Sequence, residues 1–210
     1  MIVVLSCMIS TVDAQTLGHI FTQLPPEKQK QLSALRSDTQ RRHSLAAYSL
    51  LERATVSGCV VPPLCSLCWT AYGKPFFPNN PIAFSLSHAG DLAVCALSDV
   101  PIGIDVEPLS QSLSDWKQLA NIMGFCDIQN QLQFLRTWVM WESYRKQTGT
   151  PARPADTFRT KPLSNGFLVC ENGHTLPFFC RMCHAFSGYA AALCLPLSHK
   201  NQPVLFLNEE

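Results

Sequence analysis

Residues 82–107, IAFSLSHAGDLAVCALSDVPIGIDVE, decide how this chain folds. Ile82, Phe84 and Leu86 alternate with small residues, the period of a half-buried strand. Residues 92–97 form an unbroken apolar run, as expected of a strand covered on both faces. Ser98-Asp99-Val100-Pro101 then turns the chain, and Ile102, Ile104 and Val106 alternate again. Gly103, Asp105 and Glu107 fall on the opposite side of that third strand, successive same-side residues lying about 7 Å apart. Two acids on a strand whose other face is core are costly unless a cation meets them. A divalent metal is the expected counter-charge.

The surrounding composition is that of a globular protein. Its 210 residues suit one domain or two small ones, and 47% of them are apolar. Lys+Arg 16 against Asp+Glu 15 leaves no basic excess for nucleic acid and no acidic solvating segment. The opening MIVVLSCMIS lacks the basic start of a leader, so a first strand is expected there. No stretch has the length of a membrane span. Many of the 10 Cys lie inside apolar runs, as Cys95, Cys170 and Cys194 do, and are read as buried thiols in a reducing cytoplasm.

Toward the N-terminus, Leu24-Pro25-Pro26-Glu27 opens a short helix to about residue 35. Asp38 is the expected N-cap of a longer helix to about residue 54, with Leu45, Leu50, Leu51 and small Ala46 and Ala47 as its apolar stripe. Arg36, Arg41 and Arg42 near its start suit a phosphate, and equally a solvated basic face. Tyr72-Gly73-Lys74-Pro75 is a stiff turn that holds Lys74 outward, and His88 sits where the first central strand ends. Residues 60–72 are read as loop and then strand. They contain Cys65 and Cys68, a C-x-x-C pair repeated in Cys180 and Cys183. Two such pairs can hold zinc. In strands, however, residues three apart face opposite ways, so core cysteines are the default.

Beyond the central stretch, residues 108–130 are polar with a short helix, a candidate lid or partner-docking flap. A helix is expected over residues 131–148, closed by Gly149 and Pro151. Glu142 and Lys146 lie four apart on it, with Trp138 a turn before; alone they would be an ordinary surface pair. Asn172-Gly173 signals a hairpin, residues 188–195 another buried strand, and the last ten or so residues a loose tail. Gly90-Asp91-Leu92-Ala93-Val94-Cys95-Ala96-Leu97 is faintly echoed by Gly188-Tyr189-Ala190-Ala191-Ala192-Leu193-Cys194-Leu195. Two like-folded halves with a site at their seam would explain the echo.

Taken in order, GKP, FSLSHAG, PIGIDVE and WVMWESYRK resemble the signature of the surfactin-type 4'-phosphopantetheinyl transferases, over nearly the whole chain. The resemblance implies an α+β fold of two pseudo-symmetric halves, residues 1–103 and 104–210, with coenzyme A bound between them. It also implies transfer of phosphopantetheine from coenzyme A to a serine of an acyl or peptidyl carrier protein, releasing 3',5'-ADP, by a cytoplasmic monomer. Carried over residue by residue, Asp105, Glu107 and Glu142 match the Mg²⁺ ligands, and Glu142 and Lys146 the catalytic pair. Lys74, Pro75, Ser87 and His88 match the coenzyme A side, with Arg41 and Arg42 near its basic residues in an ambiguous register. One departure stands out: the family usually has Lys immediately before the Glu, where this chain has Trp141. That departure is the support for an alternative, a weak or inactive relative that still binds coenzyme A or a carrier. A zinc-stabilised module on the two C-x-x-C pairs is the remaining alternative.

Overall fold

A computed structural model describes residues 1–55, 59–110, 115–125, 127–150 and 155–208. In chain order its elements begin with β1 (Ile2–Met8), α1 (Ala14–Gln23), α2 (Pro26–Ser33), α3 (Asp38–Arg53), β2 (Cys68–Trp69), β3 (Pro75–Phe76), β4 (Ala83–Ala89) and β5 (Leu92–Ser98). They continue with β6 (Gly103–Pro108), α4 (Trp116–Met123), α5 (Gln131–Thr148), β7 (Phe158–Leu163), β8 (Gly166–Glu171), β9 (His174–Met182), β10 (Tyr189–Pro196) and β11 (Val204–Asn208). The fold is a mixed α+β one. It divides into two compact units, Met1–Asp99 with Pro203–Glu210, and Val100–Gln202.

The first unit is built on a four-stranded sheet in the order β11-β1-β5-β4, with β11 parallel to β1 and the other pairs antiparallel. β5 is buried along its whole length, as its unbroken apolar run requires. α3 lays Leu45, Ala46, Ala47, Leu50 and Leu51 into the same core as Val3, Leu5, Phe84, Cys95 and Leu97. Each fully buried Leu or Ile there contributes about 1.5–3 kcal/mol. The N-cap of α3 is Ser37, which accepts from the Gln40 N–H, one residue before the expected Asp38.

The structure departs from the sequence reading at four places in this unit. α1, for which no element was expected, is a helix capped by Asp13, with Leu17 and Ile20 buried at a three-residue spacing. The expected loose tail contains β11, whose Val204-Leu205-Phe206-Leu207 run supplies the β-forming side chains that pair with β1. β4 is half-buried but does not alternate as expected: Ser85 and Ser87 are buried along with Phe84, while Leu86 is only partly buried and His88 is exposed. Cys65 and Cys68 are exposed rather than core, because Cys65 lies in the short 3-10 turn Leu64–Ser66 and β2 is only two residues long.

The second unit is an antiparallel five-stranded sheet, β6-β10-β9-β8-β7, with α5 packed on β6 and β10. Between β8 and β9, Asn172 and Gly173 take φ of 49° and 78°, the left-handed pair that a two-residue hairpin turn demands. α5 starts at Asn130, whose side chain accepts from the Gln133 N–H, and stops at Gly149 with φ 62°. Pro151, expected to help close it, lies outside the described residues. In the polar connection after β6, α4 ends at Gly124; residues 111–114 and 126 lie outside the described residues. Among the described residues no helix is long and apolar enough to cross a membrane.

Candidate active site

β6 and α5 build the site together, and glycine lets them approach. A side-chain carbon on Gly103 would collide with the Ser143 carbonyl oxygen and lie 2.5 Å from the Gln147 backbone nitrogen. With hydrogen there instead, the α5 backbone lies directly on β6. Across the sheet Asp105 faces Ala192 and Glu107 faces Ala190, so no bulky neighbour on β10 competes for that face.

Helical spacing then aims three residues of α5 at the two acids, for Trp138, Glu142 and Lys146 recur every four residues along one stripe. Lys146 Nζ lies 2.7 Å from Asp105 Oδ1, and the Asp105 side chain is only 7% exposed. Trp138 lies close enough to Glu107 to favour its charged form. Glu142 Oε1 accepts from Arg145 Nη1 at 2.8 Å, and the two side chains are 21% and 26% exposed. The i,i+4 Glu142–Lys146 pair expected of an isolated helix is therefore not the observed pairing. Lys146 turns to the strand and Arg145, a residue later, takes Glu142.

The electrostatics record how close the acids are. Burial, followed by the charge of Asp105, pushes the Glu107 carboxyl up from 4.5 to about 7, with Lys146 and Trp138 opposing and Glu142 adding. Glu142 is also raised, first by burial and then by Asp105, against the nearby Arg145 and Lys146. Such mutually repelling oxygens fit a hard divalent cation by donor chemistry. Among the described residues, though, no group of three or more His, Cys, Asp or Glu is arranged to hold a metal ion. Here Lys146 and Arg145 supply the positive charge to Asp105 and Glu142.

The other candidate residues belong to the first unit. Lys74 ends the β2–β3 turn, where its backbone N–H donates to Thr70 Oγ1 at 3.1 Å, and Pro75 pairs with Trp69. Ser87 is buried on β4; His88 beside it is exposed, its ring 5.5 Å from that of His43 on α3. Arg41 donates to the carbonyls of Leu32 and Leu35, at 3.1 Å each, and to Asp38. Arg42 donates to the carbonyls of Ile9, Ser10 and Val12. Both arginines thus tie down the chain before α3 instead of presenting an open basic face, a role that their spacing in the sequence did not reveal.

Sequence reasoning also missed Arg145 and the clearance at Gly103. The three-residue step from Glu142 to Arg145 was the available signal for the first.

No family model matches the chain. Among curated proteins it is similar to a 4'-phosphopantetheinyl transferase of Bacillus subtilis, 34% identical over 134 residues, 59% of each chain. The 4'-phosphopantetheinyl transferase Sfp of Bacillus subtilis (strain 168) is 31% identical over 136 residues, again 59% of each. The 4'-phosphopantetheinyl transferase AcpT of Escherichia coli O157:H7 is 31% identical over 152 residues, which cover 65% of this chain and 73% of AcpT. The chain belongs to the 4'-phosphopantetheinyl transferase family. The match spans 59% of the length of the first two of these relatives.

Proposed function

We propose that this protein moves the 4'-phosphopantetheine group from coenzyme A to a serine of an acyl or peptidyl carrier protein, with Mg²⁺, in the cytoplasm, releasing 3',5'-ADP. The observation that carries the reading is the convergence of Asp105 and Glu107 on β6 with Glu142 and Lys146 on α5, in a chain of this family. The two units are the proposed related halves. Their central strands β5 and β10 each follow a glycine of positive φ and each pack on the long helix of their own unit.

Asp105, Glu107 and Glu142 are the proposed metal ligands, with oxygen donors of the kind Mg²⁺ takes. When bound, the ion supplies positive charge to the pyrophosphate oxygens. Lys146 donates its Nζ–H to a phosphate oxygen and steadies charge there as the transition state forms. The carrier serine Oγ bonds to the β-phosphorus of coenzyme A, the bond from that phosphorus to the bridging oxygen breaks, and 3',5'-ADP leaves with the bond's electrons. Glu142 takes the serine proton, directly or through a water. Lys74, Pro75, Ser87 and His88 form the coenzyme A side, shaped by the ties that Arg41 and Arg42 make around α3.

Incubation of purified protein with coenzyme A, Mg²⁺ and a panel of apo carriers tests this by intact mass. A carrier gaining one phosphopantetheine arm is the expected result. Coenzyme A binding with no gain on any carrier would instead favour the inactive-relative reading that Trp141 motivates.

A further inference from the structure

Arg145 is held unlike the other arginines near the candidate residues. Arg42 spends its donors on main-chain carbonyls, and Arg41 spends Nε and Nη2 there too, pairing with a carboxylate only at the exposed Asp38. Arg145 instead lies 4.7 Å from the centroid of the Trp141 ring while Nη1 bonds Glu142. Its Nε is buried and finds no hydrogen-bond partner among the described residues. Leaving that donor unsatisfied costs free energy, so the ring and the carboxylate, not the best bonding of the guanidinium, fix its place. The ring is itself fixed. Trp141 is only 5% exposed, and its centroid lies 5.6 Å from that of Trp138 and 6.1 Å from that of Phe125.

We propose that Arg145, clamped between Trp141 and Glu142, is the positioning residue for Glu142 and supplies the cation that the resembling family carries at position 141. The charge has moved one turn along α5, and the side chain it left behind has become the platform that holds it. A glutamate has three rotatable side-chain bonds, so an unclamped carboxylate samples several rotamers. Clamping Oε1 removes that freedom before the reaction and holds the carboxylate in working geometry. An arginine suits the task because its flat guanidinium stacks on the indole while its edge bonds the carboxylate. This inference rests on the transfer reading above.

The test compares wild type with Arg145→Met, Arg145→Lys and the double variant Trp141→Lys with Arg145→Met, in the transfer assay and by thermal unfolding. Arg145→Met is expected to lower kcat about 10- to 100-fold with KM for coenzyme A within about threefold, since the group positions and does not bind. Arg145→Lys keeps most of kcat. The double variant recovers most of it too, because a cation beside Glu142 is restored; should that buried site reject lysine, Arg145→Lys carries the rescue alone. A readout independent of turnover is a melting cycle with Glu142→Gln. There the double variant Glu142→Gln with Arg145→Met falls no further than the worse single, since the two residues act as a pair. Additive melting losses, wild-type kcat in Arg145→Met, or Arg145→Lys as slow as Arg145→Met would each overturn the proposal. A wild-type protein that modifies no carrier overturns the transfer reading as well. An active wild type with an unimpaired Arg145→Met overturns this proposal alone.

Discussion

Glu107 is the most strained acid of the site, and the strain has a sign. Its carboxyl titrates at about 7 when folded against an ordinary 4.5, because burial and Asp105 both disfavour its charge. Between those two values the folded chain holds the proton that the unfolded chain releases, so stability falls as pH rises through that window and stays lowered above it. Glu107→Gln is therefore expected to be more stable than wild type at pH 8, by about 1 kcal/mol after solvent screening, with the difference vanishing near pH 4. Denaturant unfolding at the two pH values checks this; equal stability at pH 8 would contradict it. An ion held by these acids offsets the same penalty, so Mg²⁺ should raise the melting temperature more at pH 8 than at pH 5. At Asp105, the Ala variant is expected to keep its fold, since the partner Lys146 is 30% exposed and regains water. Its transfer rate should fall at least about a hundredfold. The acids were legible in the sequence because a strand's period of two is short and strict. Arg145 was not, for a helix offers several neighbours to Glu142 and only packing on Trp141 chose between them.

At the scale of elements, α5 does most of the work. Its ends were readable from Asn130 and Gly149, residues whose chemistry is local. Its placement was not, because that depends on a missing side chain at Gly103, whose role appears only when Ser143 and Gln147 lie against it. Gly103→Ala should therefore cost about 3 kcal/mol or more and move Lys146 away from Asp105. Chemical denaturation gives the loss, and an unchanged midpoint would show that helix and strand are not pressed together. α1 escaped notice for a different reason. Its apolar positions Leu17 and Ile20 are few, and the Asp13 cap only gains meaning beside them.

At the scale of the whole molecule, the α+β class was legible in the mixture of strand and helix signals, and the segments 90–97 and 188–195 were legible as buried strands. Those segments became β5 and β10, each buried in its own sheet. The last strand was not legible, since a short apolar run near a terminus has no partner in the sequence to identify it. Because β11 pairs with β1 in the first unit, removing residues 203–210 should lower the melting temperature by several degrees. A truncated chain that melts like the full one would show β11 to be dispensable.

The central claim is that Asp105, Glu107 and Glu142 serve one divalent cation in phosphopantetheine transfer. Intact-mass analysis of an apo carrier incubated with coenzyme A, with Mg²⁺ or with excess chelator, by wild type and by Glu142→Gln, tests it most directly. Full conversion by wild type with Mg²⁺, none with chelator, and little by Glu142→Gln is the predicted result. Conversion that proceeds unchanged in chelator, or at the wild-type rate without the Glu142 carboxylate, would contradict it.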